Sequence, residues 1–138
     1  MRNGKKGANA AESVLLVEDD PAGLAMLALA LRRYGFSVVA CSCPDAALEK
    51  LVAERFSWLV TDARLSAGDG FSLSEAARDI QPDLRIVMIS AVACDQDIQG
   101  RPIERVFAKP VALDALVAWL RSPKGGLGQS GRPQSPSA

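Results

Sequence analysis

Histidine is absent from the 138 residues, and cysteine occurs three times, at Cys41, Cys43 and Cys94. These two scarcities exclude the usual zinc centres, which need about four imidazole or thiolate ligands at suitable spacing. A Cys-x-Cys pair with one distant partner does not supply them. The thiols are expected to be buried as small apolar groups, with redox sensing at Cys41 and Cys43 as the alternative. Net charge is also lacking, because 16 basic residues balance 16 acidic ones, which argues against a nucleic-acid-binding surface. No apolar run approaches the ~20 residues of a membrane span. The basic start, Met1-Arg2-Asn3-Gly4-Lys5-Lys6, lacks the apolar stretch of a signal peptide. Cytoplasm is the expected compartment. Gly-x-x-x-x-Gly-Lys-Ser/Thr is missing too, so no P-loop is present.

What the chain does contain is an apolar fraction of 49%, enough for a packed core in one domain with tails. Residues 1–12 and 122–138 read as a flexible N-terminal tail and a disordered C-terminal tail rich in Gly, Pro, Ser and Gln. An initiating Met and this polar end favour a complete, stand-alone chain.

Between the tails, residues 13–121 alternate strand and helix. The unbroken apolar run Val14-Leu15-Leu16-Val17 suits a strand covered on both faces. Pro21 opens a helix that closes on Arg32, Arg33 and Tyr34 and stops at Gly35. This helix is apolar nearly all round and is expected among the more buried. Phe36–Cys41 is the second strand, and Pro44 to about Glu54 the second helix, with Ala47, Leu48, Leu51 and Val52 on one face. Ser57–Asp62, Leu84–Ser90 and Val106–Lys109 complete five strands, with helices over Phe71–Ile80 and Leu113–Arg121. The segment 91–103, interrupted by Gly100 and Pro102, is short for a helix and poor in apolar anchors. The alternation predicts an α/β fold with right-handed crossovers and helices on both faces. Five strands suit a flavodoxin-like, doubly wound parallel sheet of order 2-1-3-4-5.

In such a sheet, ligands gather beyond the carboxyl ends of the strands, above all at the switch point between strands one and three. Those two strands run into Glu18-Asp19-Asp20 and into Asp62, while strand four ends in Ser90 and strand five in Lys109-Pro110. Acids crowded in one cleft hold protons unless a cation relieves them. Oxygen donors without imidazole or clustered thiolate select Mg²⁺ or Mn²⁺. A carboxylate nucleophile, a divalent ion, an ammonium and a hydroxyl make a phosphoryl-transfer site. Each part alone has an ordinary reading: a solvated acidic loop, a turn cap at Asp62, a surface lysine. Their joint occurrence at strand ends is the informative feature.

On these residues the chain resembles the receiver domain of two-component response regulators, across about residues 13–121. Glu18 and Asp19 match that family's acidic pair, with Asp20 an additional acid. Asp62 falls at the phosphoacceptor, Ser90 at the Ser/Thr position and Lys109-Pro110 at the Lys-Pro, while Asp69-Gly70 matches the end of the loop after the phosphoacceptor. The resemblance implies that Asp62 takes a phosphoryl group from a histidine kinase or phosphotransfer protein. It also implies Mg²⁺ on Asp19, Asp62 and the backbone carbonyl of Arg64, with Glu18 acting through water. Ser90 and Lys109 would hold the phosphoryl oxygens, and the Arg64 side chain would shield them. Such a chain is a relay or binding module, not an enzyme with turnover. Its downstream partner is a protein, with neither nucleic acid nor membrane involved. The alternatives are a pseudo-receiver that only binds protein, or a Mg²⁺-dependent phosphatase with an aspartate nucleophile. The former should have lost an acid. The latter resembles Asp-x-Asp, which Glu18-Asp19-Asp20 does not provide.

Two positions depart from the family pattern, and the segment from Ser90 to Lys109, the fourth-helix region, is short for it. Ser66 stands where the family often has Pro, and Val106 stands where it has a switch aromatic. Phe107 is adjacent, but successive strand residues face opposite sides, so it belongs in the core. Signal output is therefore expected through reordering of 91–103, with the partner surface on the fourth-helix region, the fifth strand and the last helix around Leu113, Leu116 and Val117.

Overall fold

The computed structural model describes residues 12–92 and 98–123. The expected tails lie outside these residues apart from Glu12, Ser122 and Pro123, and so do Cys94 and the middle of the 91–103 segment. Five strands, β1 (Ser13–Val17), β2 (Ser37–Cys41), β3 (Trp58–Asp62), β4 (Arg85–Ser90) and β5 (Arg105–Ala108), alternate with α1 (Pro21–Arg33), α2 (Pro44–Ala53), α3 (Gly70–Ile80) and α4 (Leu113–Leu120). Their bounds fall within one or two residues of those the sequence implies, the usual uncertainty of element ends. The order is β2-β1-β3-β4-β5, every neighbouring pair parallel. A two-residue antiparallel ribbon, Arg64–Leu65 with Gly68–Asp69, follows β3. No helix of the described residues is long and apolar enough to cross a membrane.

Local chemistry sets the helix ends. Pro21 and Pro44 occupy the first turns of α1 and α2, where a missing N–H costs nothing. The Asp20 carboxylate accepts the Gly23 N–H at 2.9 Å and caps α1, so the additional acid has a structural task. The Asp69 carboxylate does the same for α3, accepting the Ser72 N–H at 2.8 Å. Gly35, with φ of 101°, ends α1 in the left-handed conformation that glycine adopts without penalty.

The sheet divides the core in two. Leu15, Val17, Leu59, Ile86 and Met88 face α2 and α3, where Ala47, Leu51, Leu73 and Ala77 meet them. Val14, Leu16, Val60, Val87, Ile89 and Phe107 face α1 and α4, against Ala28, Leu31, Leu116, Val117 and Leu120. Phe107 is in the core as expected, and Val106 lies on the opposite face with Ile103. Cys41 is a buried free thiol and Cys43 a half-buried one.

Four expectations need correction. α1 is not a buried helix: Ala28 and Leu31 are enclosed, but Met26 is 72% exposed and Leu29 51%. A helix lying on one sheet face buries one stripe, so apolar residues beyond it meet solvent. Val52 is likewise exposed, at the edge of the stripe that seats Ala47 and Leu51. Leu116 and Val117 are core residues and cannot form a partner surface. Finally, the described end of the 91–103 segment is anchored. Ile98 packs on the core and Ile103 is within it. Arg101 stacks 4.8 Å from the Phe71 ring centroid and pairs with Glu75 at 2.8 Å.

Gln81, just past α3, joins three elements. Its amide N–H group donates to the carbonyls of Leu51 (2.8 Å) and Glu54 (2.6 Å), and its carbonyl accepts the Phe56 N–H (3.1 Å). Replacing it with Leu leaves buried backbone groups unpaired, each costing about 1–3 kcal/mol. Gln81→Leu should lose about 2–4 kcal/mol in urea unfolding. A change within experimental error would mean that water or a shifted backbone satisfies these groups.

Candidate functional site

The parallel sheet brings the ends of β1, β3 and β5 to one rim. Glu18 follows β1, Asp62 ends β3 and Lys109 follows β5. Each continues the alternation of residues facing the α1/α4 side: Val14 and Leu16, Trp58 and Val60, and Phe107. Strand pleat therefore turns all three side chains the same way. The Lys109 Nζ donates to Glu18 Oε1 at 2.7 Å and to Asp62 Oδ2 at 2.8 Å. Both acids are only 8% exposed, and a cation shared between them compensates their loss of water.

Asp19 sits beside this triad and is held differently. Its Oδ2 accepts the Ser66 backbone N–H at 2.6 Å and the Ser66 hydroxyl at 2.5 Å. Carboxylate oxygens of Glu18, Asp19 and Asp62 all lie within 4.8 Å of one another. The environments separate their acidities. Burial, aided by the neighbouring Asp62 carboxylate, pushes Glu18 above the ordinary glutamate value despite its bond to Lys109. The two Ser66 hydrogen bonds pull Asp19 below the ordinary aspartate value. Burial alone would lower Lys109, but its bonds to Asp62 and Glu18 outweigh that and raise it.

The loop after Asp62 is packed against its own backbone. The Gly70 N–H donates to the Ala63 carbonyl at 2.9 Å, and the Ala63 N–H to the Ile89 carbonyl at 2.8 Å. The Arg64 N–H points at Asp62 Oδ1 from 3.4 Å, and its side chain is exposed. Ser90 ends β4 on the other alternation, with Ile86 and Met88. Its hydroxyl donates to the Val92 carbonyl at 2.9 Å and accepts the Val92 N–H at 3.1 Å. Ser90 is thus on the rim but engaged with its own turn.

A groove of about 410 Å³ opens from the rim, lined by Met26, Leu27 and Ala30 of α1 and by Val111 and Leu113, with Glu18 and Lys109 at one end. The exposed Met26 is part of it. Sequence patterns signalled an apolar α1 but not that part of it would border the acids. Nor did they signal the Ser66–Asp19 pair, which joins loops 47 residues apart.

The donor set is hard oxygen, clustered, and only partly neutralised by one ammonium, which is the chemistry a small divalent cation fits. A carboxylate with a flanking ammonium, at the mouth of a groove, can act as a nucleophile toward an electrophile carrying negative oxygens.

Comparison with known proteins gives a consistent answer. The family model described as response regulator receiver domain matches residues 14–121. The response regulator receiver protein CpdR of Brucella abortus is 36% identical over 107 residues, covering 75% of this chain and 89% of that protein. The transcriptional regulatory protein GlrR of Escherichia coli is 32% identical over 106 residues, which cover 75% of this chain but 24% of GlrR. Among solved structures, a Burkholderia pseudomallei response regulator containing a phosphorylated aspartic acid, a calcium ion and citrate superposes with a TM-score of 0.72 at 28% identity. That match covers 80% of this chain and 67% of the other.

Proposed function

The chain belongs to the response regulator receiver family, and on that premise we propose that Asp62 accepts a phosphoryl group from a histidine kinase or phosphotransfer protein. The observation that carries this reading is the placement of Lys109 Nζ 2.8 Å from Asp62 Oδ2, with three acid oxygens within 4.8 Å. An Asp62 oxygen forms the new O–P bond while the donor's N–P bond breaks, and the imidazole nitrogen leaves with the electron pair. Lys109 neutralises charge on the phosphoryl oxygens, and Ser90 donates its hydroxyl to one of them after releasing the Val92 carbonyl. Exchange of one acceptor for another keeps that hydroxyl satisfied.

Asp19, Asp62 and the Arg64 carbonyl would hold Mg²⁺, with Glu18 acting through water. When bound, the ion supplies positive charge that lowers the cost of bringing phosphate to three carboxylates. The groove beside Lys109, with Met26 on its α1 wall, is the face a protein donor covers, because Lys109 both lines it and bonds to Asp62. The product is a phosphoprotein that signals by protein contact, in the cytoplasm, without turnover on a small molecule.

Incubation with acetyl phosphate and Mg²⁺ should add one phosphoryl group by intact mass, labile to acid and base. No adduct from that donor or from a phosphorylated phosphotransfer protein would overturn the reading. For the metal, Asp19→Asn should weaken Mg²⁺ at least about tenfold, while Glu18→Gln does less. Calorimetric titration checks both, and an Asp19→Asn protein with wild-type affinity would move the metal elsewhere.

A further inference from the structure

We propose that Ser66 is a positioning residue for the metal-binding carboxylate of Asp19, an inference that rests on the Mg²⁺ reading above. Asp19 is crowded by Glu18 and Asp62. Lys109 bonds to those two acids, and no cation among the described residues pairs with Asp19. Like charges so close push an exposed carboxylate outward into water. Two hydrogen-bond donors from one residue oppose this: the Ser66 N–H and hydroxyl both meet Asp19 Oδ2. Both donors take the same oxygen, so Oδ1 receives neither of them.

Ser66 can do this because its own position is fixed. It stands at the turn of the ribbon that pairs Leu65 with Gly68. Leu65 is buried on one side of it, and Asp69 caps α3 on the other. Holding the donors rigid holds the acceptor, so the carboxylate does not lose side-chain freedom again when an ion arrives. Proline, with neither N–H nor hydroxyl, provides no such hold at this position. The departure from the family pattern is therefore a second support for the metal ligand, supplied across two loops.

Mg²⁺ titration calorimetry on the full chain tests this with S66A, which removes the hydroxyl, S66T, which keeps it, and S66P, which removes both donors. Outer-shell partners of metal ligands are typically worth about 10–100-fold in affinity. We expect roughly threefold to tenfold weakening in S66A, about 10–100-fold in S66P, and near wild-type affinity in S66T. Thermal unfolding in EDTA should be unchanged for S66T and only slightly lower for S66A, which loses the hydroxyl's hold on Asp19, and this separates positioning from a general loss of structure. Wild-type affinity in S66A would overturn the proposal even if S66P failed to fold, and so would tighter binding in either variant. A wild-type protein that bound no Mg²⁺ would instead overturn the metal reading, and the proposal with it.

Discussion

Asp62→Asn should take up no phosphoryl group from acetyl phosphate and Mg²⁺ under conditions that label the wild type fully. The carboxamide has the same shape but no anionic oxygen to form the O–P bond, so the loss should exceed about 10³-fold. Folding should survive, because the substitution removes one of three neighbouring acids while Glu18 still accepts from Lys109. The pH dependence of stability separates the two effects. Glu18 has a folded pKa raised above its ordinary 4.5, first by burial and then by Asp62. A raised carboxyl contributes stability that is present below the unfolded value and lost as pH rises through the folded one. Asp62→Asn removes the Asp62 part of that shift, so this acid-side loss should shrink. Lys109, also raised, contributes stability below its ordinary 10.5 that disappears as pH climbs through its folded value. That alkaline loss should also be smaller in the variant, which keeps one of two carboxylate partners. Full labelling of Asp62→Asn would falsify the assignment of the acceptor.

Among the described glycines, Gly70 should tolerate an added methyl group (Gly70→Ala) least. A Cβ at this position would lie 2.2 Å from the Asp62 carbonyl oxygen and 3.0 Å from the Met88 methyl. The Met88 side chain can move aside, but the Asp62 carbonyl is backbone in a strand paired on both sides. Relief must come from shifting α3 or bending the end of β3. Overpacking of this kind costs about 1–3 kcal/mol, and rigid backbone puts this case at or above the upper end. Bending β3 also turns the Asp62 carboxylate away from Lys109. We therefore expect a stability loss of about 3 kcal/mol in urea, together with slower labelling by acetyl phosphate. Wild-type values for both would mean that α3 floats freely against β3.

The fold was legible because strands and helices alternate with clear punctuation. Pro21, Gly35 and Pro44 mark helix ends, and Val14–Val17 is apolar without interruption, as a central parallel strand must be. The rim was legible because parallel strands deliver their ends to one side. Side chains that act across loops were less accessible. Nothing local to Ser66 points to Asp19, and nothing local to Gln81 points to Leu51 and Glu54. Asp20 looked like one more acid, yet its oxygen is used by the helix it precedes. The exposure of Met26 and Leu29, and the burial of Leu116 and Val117, depend on how each helix is rotated on the sheet. Composition alone does not fix that rotation when a helix is apolar all round.

The strand order has a consequence for a chain leaving the ribosome. Domains generally fold as units, and although the pairings of β2-β1-β3 use no residue beyond Asp62, the sheet does not end there. β4 then adds to the edge of β3, and β5 to the edge of β4, in the order in which they emerge. No strand has to be threaded between two already paired. Glu18 and Asp62 stand at the ends of two strands paired with each other, whereas Lys109 follows the last of the five strands. The ammonium that joins them comes from the far edge of the sheet, so charge balance at the rim depends on the whole unit having folded.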